Sequence, residues 1–110
     1  MRKRKPPVTP EQFAYLERVA ALGCIVCRNE RLRQGWMSCG AEIHHIRAGM
    51  GLGQRNDYRH TLPLCAKHHR SGPHGVAFHA GRKTWEANFG TERRLLRQVR
   101  RLLGYKGMPG

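Results

Sequence analysis

Thr61-Leu62-Pro63-Leu64-Cys65-Ala66-Lys67-His68-His69-Arg70 runs from a strand-like segment directly into a Cys-x-x-His turn. The strand is expected to begin at Tyr58 and end at Leu64, and Cys65 to Arg70 to make one or two helical turns stopped by Gly72-Pro73. Upstream, Glu42-Ile43-His44-His45-Ile46 is short, partly β-branched and followed by glycines, which predicts a first strand. Gly49, Gly51 and Gly53, with Asn56-Asp57, make the long connection between the two. The centre of the chain therefore reads as a hairpin with a wide loop, closed by a short helix.

Helices flank it on both sides. Thr9-Pro10-Glu11-Gln12 carries an N-cap, a proline at the first helical position and the Gln12 partner of a capping box. Phe13, Leu16, Val19 and Ala20 follow at helical spacing, and Gly23 is the expected stop. Residues 28–42 read as irregular. Beyond the hairpin, Arg82 to Phe89 holds Trp85 and Phe89 four apart, and Thr91 caps a helix through Leu103 whose stripe is Leu95, Val99, Leu102 and Leu103. These aromatics and leucines are expected in the core. The expected order is helix, knuckle, strand, strand, knuckle-helix, helix, helix, an α+β chain. The expected divisions are a flexible basic arm over 1–8, one domain over 9–104 and a tail over 105–110.

Charge narrows the partner. Lys and Arg number 21 against 7 Asp and Glu, a net charge of +14 in 110 residues. Such a surface repels itself and implies an anionic partner, nucleic acid before membrane. No apolar run approaches a spanning length, which speaks against the membrane. Arg2-Lys3-Arg4-Lys5 precedes Pro6-Pro7 rather than an apolar stretch, so no signal peptide is expected. That arm reads equally as a solvated tail and as a DNA contact.

The chain has four cysteines, and without a secretory signal a reducing compartment is expected. Cys24-x-x-Cys27 lies in no βαβ pattern, so metal ligation is preferred to redox chemistry. Structural zinc takes four tetrahedral Cys or His donors from two short turns. Cys24, Cys27, Cys65 and His68 supply them, and thiolates favour zinc over magnesium or calcium. Cys39 is an alternative donor in place of Cys65 or His68, and buried small hydrophobes are the bland reading. A small core gains from such a staple.

All seven histidines fall between residues 44 and 79. Histidine is the commonest metal ligand and the natural base near neutral pH. Adjacent strand residues point to opposite faces, so His44 and His45 are expected to do different jobs.

His44-His45-Ile46 followed by Leu62-Pro63-Leu64-Cys65-x-x-His68-His69 resembles the HNH endonuclease pattern. The resemblance implies a small ββα-metal (HNH) finger with a structural zinc knuckle, preceded by one helix and followed by two. It implies His44 and His69 as ligands of a catalytic divalent ion (Mg2+, Mn2+ or Zn2+), with His45 as general base. His60 falls where the pattern places an asparagine that orients the base, a departure that leaves its role open. His79 is a further candidate ligand, and His74 reads as a loop histidine. Gly23-Cys24-x-x-Cys27, His44-His45-Ile46, Leu64-Cys65-x-x-His68-His69 and residues 75–96 also resemble the recombination-enhancement (Ref), RecA-dependent nucleases of temperate phages. That implies nicking or cutting of DNA engaged with a RecA-type recombinase filament, 5′-phosphate and 3′-hydroxyl products, and the cytoplasm of a bacterial host. Arg47, Arg55, Arg59 and Arg70 flank the motif as candidate phosphate contacts. A non-catalytic zinc module binding DNA or RNA is the alternative. It shares the thiols and the charge but has no need of His44, His45 and His69.

Overall fold

The computed structural model describes residues 8–30, 40–46 and 58–106. The basic arm through residue 7, Cys39, Arg47, Arg55 and the glycine-rich connection over 47–57 lie outside the described residues. Helix α1 (Pro10–Ala21) starts on the expected capping box: Thr9 Oγ1 accepts from Gln12 N at 3.1 Å and Gln12 Oε1 accepts from Thr9 N at 3.0 Å. Its buried face differs from the expected stripe. Tyr15 and Val19 point inward while Phe13 is 59% exposed. The helix is turned so that the Tyr15 hydroxyl accepts from Arg100 Nη1 at 2.9 Å, beneath the far end of the chain.

Gly23 adopts φ 73°, a left-handed conformation that only glycine takes at low cost, and the chain reverses there. A second helix, α2 (Ile25–Glu30), follows at once. Two helices therefore precede the sheet where one was expected. The reading of Cys24-x-x-Cys27 as a bare turn concealed α2, whose Ile25 and Val26 are fully buried.

Strands β1 (Glu42–His45) and β2 (Thr61–Leu64) pair antiparallel, with Glu42 opposite Leu64 and His45 opposite Thr61. Pro63 cannot donate to a ladder, which is tolerated because β2 pairs on one side only among the described residues. β2 begins three residues later than expected. Tyr58 to His60 form a turn, in which the Thr61 hydroxyl donates to Tyr58 O at 2.9 Å. The expected short helix after Cys65 is one wide π turn, Lys67–Ser71, closed by Gly72 N donating to Lys67 O at 3.1 Å. A 3-10 turn, Phe78–Ala80, was not anticipated; helices α3 (Arg82–Phe89) and α4 (Glu92–Leu102) complete the order.

α4 carries Leu95, Leu96 and Val99 inward, while Leu102 is 39% exposed. Together with Val19, Ile25, Leu62, Leu64 and Trp85 they form one core. The sheet, α1, α2 and α4 meet there, so the ends of β1 and β2 and the turns after β2 are held from several sides. No helix among the described residues is long and apolar enough to cross a membrane.

Candidate functional site

Two ligand clusters meet at the π turn. The first is Cys24, Cys27, Cys65 and His68. Cys24 stands between the Gly23 reversal and α2, Cys27 lies in α2, Cys65 follows β2, and His68 lies in the π turn. The sulfurs of Cys27 and Cys65 are 3.8 Å apart, and His68 Nδ1 lies 3.7, 3.5 and 3.2 Å from the sulfurs of Cys24, Cys27 and Cys65. A tetrahedral ion with bonds of about 2.3 Å to sulfur and about 2.1 Å to nitrogen would set edges of about 3.8 Å for S···S and about 3.6 Å for S···N. The observed spacings match that tetrahedron to within a few tenths of an ångström. Burial pushes the Cys24 thiol up to about 11, so a nearby cation is needed to hold it as thiolate at neutral pH. Burial lowers the pKa of His68, which keeps its ring neutral, as a ligand must be. Cys27 N donates to Cys24 Sγ at 3.4 Å, an amide aimed at the sulfur.

The second cluster is His44, His69 and His79, whose ligand-capable atoms all lie within 4.8 Å of one another. His44 is buried on β1, His69 is half-buried in the π turn, and His79 is exposed in the 3-10 turn. His68 and His69 are consecutive, and the turn sends the first to the sulfurs and the second to the histidines. π turns of this kind recur at functional sites. The buried Trp85 fixes it, its indole N–H donating to His68 O at 3.1 Å. Phe78 packs on the His44 ring at 4.4 Å and on Trp85 at 5.1 Å, so the 3-10 turn carrying His79 is anchored too.

Each of the two inner rings is gripped by a carboxylate. His44 Nε2 donates to Glu92 Oε2 at 2.7 Å, and His69 Nδ1 donates to Glu42 Oε1 at 2.8 Å. With those nitrogens protonated, Nδ1 of His44 and Nε2 of His69 are left with lone pairs. His69 Nε2 and His79 Nε2 are 3.1 Å apart, near the edge of about 3.3 Å that two imidazoles share on one tetrahedral ion. Carboxylate–histidine pairs of this kind orient metal-ligating rings and raise their basicity.

Glu92 is fully buried at the first position of α4. Its backbone N–H donates to Glu86 Oε2 at 2.9 Å, and the Arg82 guanidinium lies 3.6 Å from its Oε1. The positive end of the helix dipole favours a carboxylate there. Neither Glu42 nor Glu92 was given a role by the sequence reading. The available signal was scarcity, because each is one of only seven acids in a strongly basic chain. Glu42 is held down to about 2, first by its hydrogen bonds from Arg70 and then by that from His69.

The other expected site residues are distributed as follows. His45 is exposed on β1 and His60 is buried in the turn before β2; neither is among the three clustered rings. Ile46 N donates to His60 O at 3.0 Å, which sets His60 one ladder position from the His45–Thr61 pair. His74 bridges Ala80 O at 3.1 Å and Thr84 Oγ1 at 3.0 Å, tying down the start of α3, as befits a loop histidine. A Cβ on Gly81 would lie 2.5 Å from its ring, so a larger residue there would push the His74 ring off these two partners. Arg70 grips Glu42 through Nε and Nη2 at 2.6 to 3.0 Å, and a phosphate there would compete with that carboxylate. Arg59 is half-buried.

The fold and these clusters define a small α+β protein with the donors for two cations, one closed and one open. The chain belongs to the recombination-enhancement, RecA-dependent nuclease family, whose sequence model matches residues 8–104. It is therefore a nuclease, and its family ties it to DNA and to RecA. No curated protein matches the chain.

Proposed function

We propose that the chain is a metal-dependent DNA endonuclease or nickase of the ββα-metal (HNH) kind, acting on DNA held by a RecA-type filament in a bacterial cytoplasm. The observation that carries this reading is the open three-histidine cluster, with two rings already oriented by carboxylates. A purely structural module has no need of it. The hairpin, the π turn and the ligands they bring together support the ββα-metal assignment.

Cys24, Cys27, Cys65 and His68 would hold a structural zinc. His44, His69 and His79 would hold the catalytic ion, and imidazole donors favour a borderline-soft ion such as Zn2+ over Mg2+. When bound, a divalent ion there supplies Lewis-acid polarisation of a phosphodiester oxygen. Glu92 and Glu42 keep His44 and His69 in one tautomer and one orientation. His45, open to solvent, takes a proton from the attacking water as its oxygen bonds to phosphorus. The bond from phosphorus to the leaving 3′ oxygen breaks and that oxygen takes a proton from solvent, giving a 5′-phosphate and a 3′-hydroxyl as the family resemblance implies. His60 is assigned an orienting role toward the base on the same resemblance.

The test is conversion of supercoiled plasmid, with and without RecA filaments, across a series of divalent metals. Wild type cuts; His45→Ala and His69→Ala retain the fold and do not. Equal conversion by wild type and His45→Ala removes the base assignment. No cleavage under any metal, with and without filaments, favours the non-catalytic zinc module.

A further inference from the structure

α4 carries five arginines, and they divide into two kinds. Arg100 is 7% exposed, donates to Tyr15 Oη at 2.9 Å and stacks 4.1 Å from the Tyr105 ring centre, so it belongs to the packing. Arg93, Arg94, Arg97 and Arg101 are exposed, and none of them makes an ion pair or side-chain hydrogen bond among the described residues. Three of these, Arg94, Arg97 and Arg101, line a single open groove between α4 and the end of α3. Glu86 is the acidic residue on the groove wall, and its two oxygens are already engaged by the Glu92 amide and by Arg82. Asn29 and Gln98 close the groove with a reciprocal amide pair at 3.0 and 2.6 Å, which fixes α2 against α4 there.

We infer that this groove is a second DNA contact, binding the phosphate backbone of a strand through Arg94, Arg97 and Arg101. The spacing of the arginines selects the ligand. Positions i, i+3 and i+7 share a helix face and span about 10.5 Å of axis at about 1.5 Å per residue. One DNA strand advances one phosphate for every 3.4 Å or so of axial rise, so that span covers about three inter-phosphate steps, enough for the three arginines to reach different phosphates. Planar guanidiniums with free donors suit phosphate oxygens. The groove is mainly polar, so it suits neither an apolar peptide nor a drug-like ligand. None of its lining residues belongs to the histidine cluster; Leu95 forms part of the groove floor, while Leu96 and Val99 face the core. The strand it holds is therefore not at the point of cleavage, and the inference stands whether or not the histidines cut.

The test compares two triple variants of the full chain by fluorescence anisotropy with labelled duplex and single-stranded DNA over a salt series. The groove variant is Arg94→Gln, Arg97→Gln and Arg101→Gln. The control, Lys83→Gln, Arg93→Gln and Lys106→Gln, removes the same charge from exposed positions outside the groove. The groove variant is expected to bind DNA at least about tenfold more weakly near physiological salt, with the slope of log affinity against log salt reduced by about two to three. The control is expected to shift affinity by no more than about threefold, with thermal melts and zinc content unchanged in both. Equal weakening by the two variants leaves only general charge and overturns the inference. So does unchanged DNA affinity, including the case where the groove variant instead loses binding to RecA protein without DNA, which would assign the groove to an acidic protein face. Should the triple variant misfold, Arg94→Gln and Arg97→Gln singly decide the matter, each expected to lower the salt slope by about one.

Discussion

Cys24, Cys27, Cys65 and His68 surround one point with four donors, whereas His44, His69 and His79 surround another with three. The sulfur-lined cluster closes its own coordination sphere and draws on three separate parts of the chain, so a cation there ties α2, the end of β2 and the π turn together. The histidine cluster leaves at least one position open and has an exposed member, and its inner rings are aimed by Glu42 and Glu92 rather than by one another. Four protein ligands mark structural zinc, and three with an open position mark a site for substrate and water. Consecutive residues, His68 and His69, serve the two. A single π turn thus sets the distance between the closed cluster and the open one.

The largest expected effect comes from emptying the closed cluster. Structural zinc contributes apparent binding free energies of about 10–16 kcal/mol in small peptides. A whole domain is stable by only about 5–15 kcal/mol. Cys27→Ser, or a strong chelator, is therefore expected to abolish the cooperative melt followed by circular dichroism, with metal content by mass spectrometry falling in parallel. A cooperative transition persisting in the metal-free chain would show that the core alone suffices and would erase the distinction between the clusters.

The open cluster is expected to behave in the opposite way. His69→Ala removes a proposed ligand and one hydrogen bond to Glu42, so the melt is expected to stay within a few degrees of wild type. Cleavage falls by about a thousandfold or more, since Lewis-acid stabilisation contributes several kcal/mol and each 1.4 kcal/mol or so is tenfold. His79→Ala, at the exposed edge, is expected to follow it with a smaller loss. If His69→Ala unfolds the chain, the histidines are structural and the comparison fails.

Glu42→Gln and Glu92→Gln sharpen the comparison further. Replacing a carboxylate behind a ligating histidine typically costs about 10–100-fold in metal affinity or activity. Titration with Co2+, whose visible spectrum separates sulfur-rich from nitrogen-only sites, is expected to show that loss in the histidine cluster alone. An unchanged nitrogen-site affinity in both variants would leave the two carboxylates as ordinary ion pairs.

The two clusters were not equally legible in the sequence. The sulfur-lined one was, because matched two-residue gaps in Cys24-x-x-Cys27 and Cys65-x-x-His68 are local and leave few ways to close around an ion. The histidine cluster was legible only in its three rings, through the family resemblance and the crowding of histidines into one segment. Its carboxylates were hidden because Glu42 and Glu92 stand 27 and 48 residues from the rings they hold, and no spacing rule reaches that far. The same limit explains α1. Its amphipathic stripe looked satisfied by Phe13 and Leu16, but the inward face is chosen by the Tyr15–Arg100 contact across 85 residues. Local punctuation was reliable where chemistry is local, as at the Thr9 and Thr91 caps and at Gly23, which takes positive φ.

That Tyr15–Arg100 contact carries the smallest expected effect and sharpens the comparison by touching neither cluster. It joins α1, which leads into the sulfurs, to α4, which supplies Glu92. Tyr15→Phe leaves a buried guanidinium short of one acceptor, at a cost of about 1–3 kcal/mol in chemical unfolding near neutral pH. It has a pH signature as well. Burial raises the Tyr15 pKa above its ordinary value of 10.0, with the Arg100 contact acting in the opposite sense. A group whose pKa is raised on folding contributes stability that is fully present below the unfolded value and lost as pH climbs through the folded one. Wild type is therefore expected to lose stability above about pH 10 that Tyr15→Phe does not lose, so the gap between them narrows in alkali. Metal content in both clusters is expected to stay at the wild-type level throughout. A gap that holds constant from neutral pH to well above 10 would mean that the phenol ionises as freely in the folded chain as in the unfolded one.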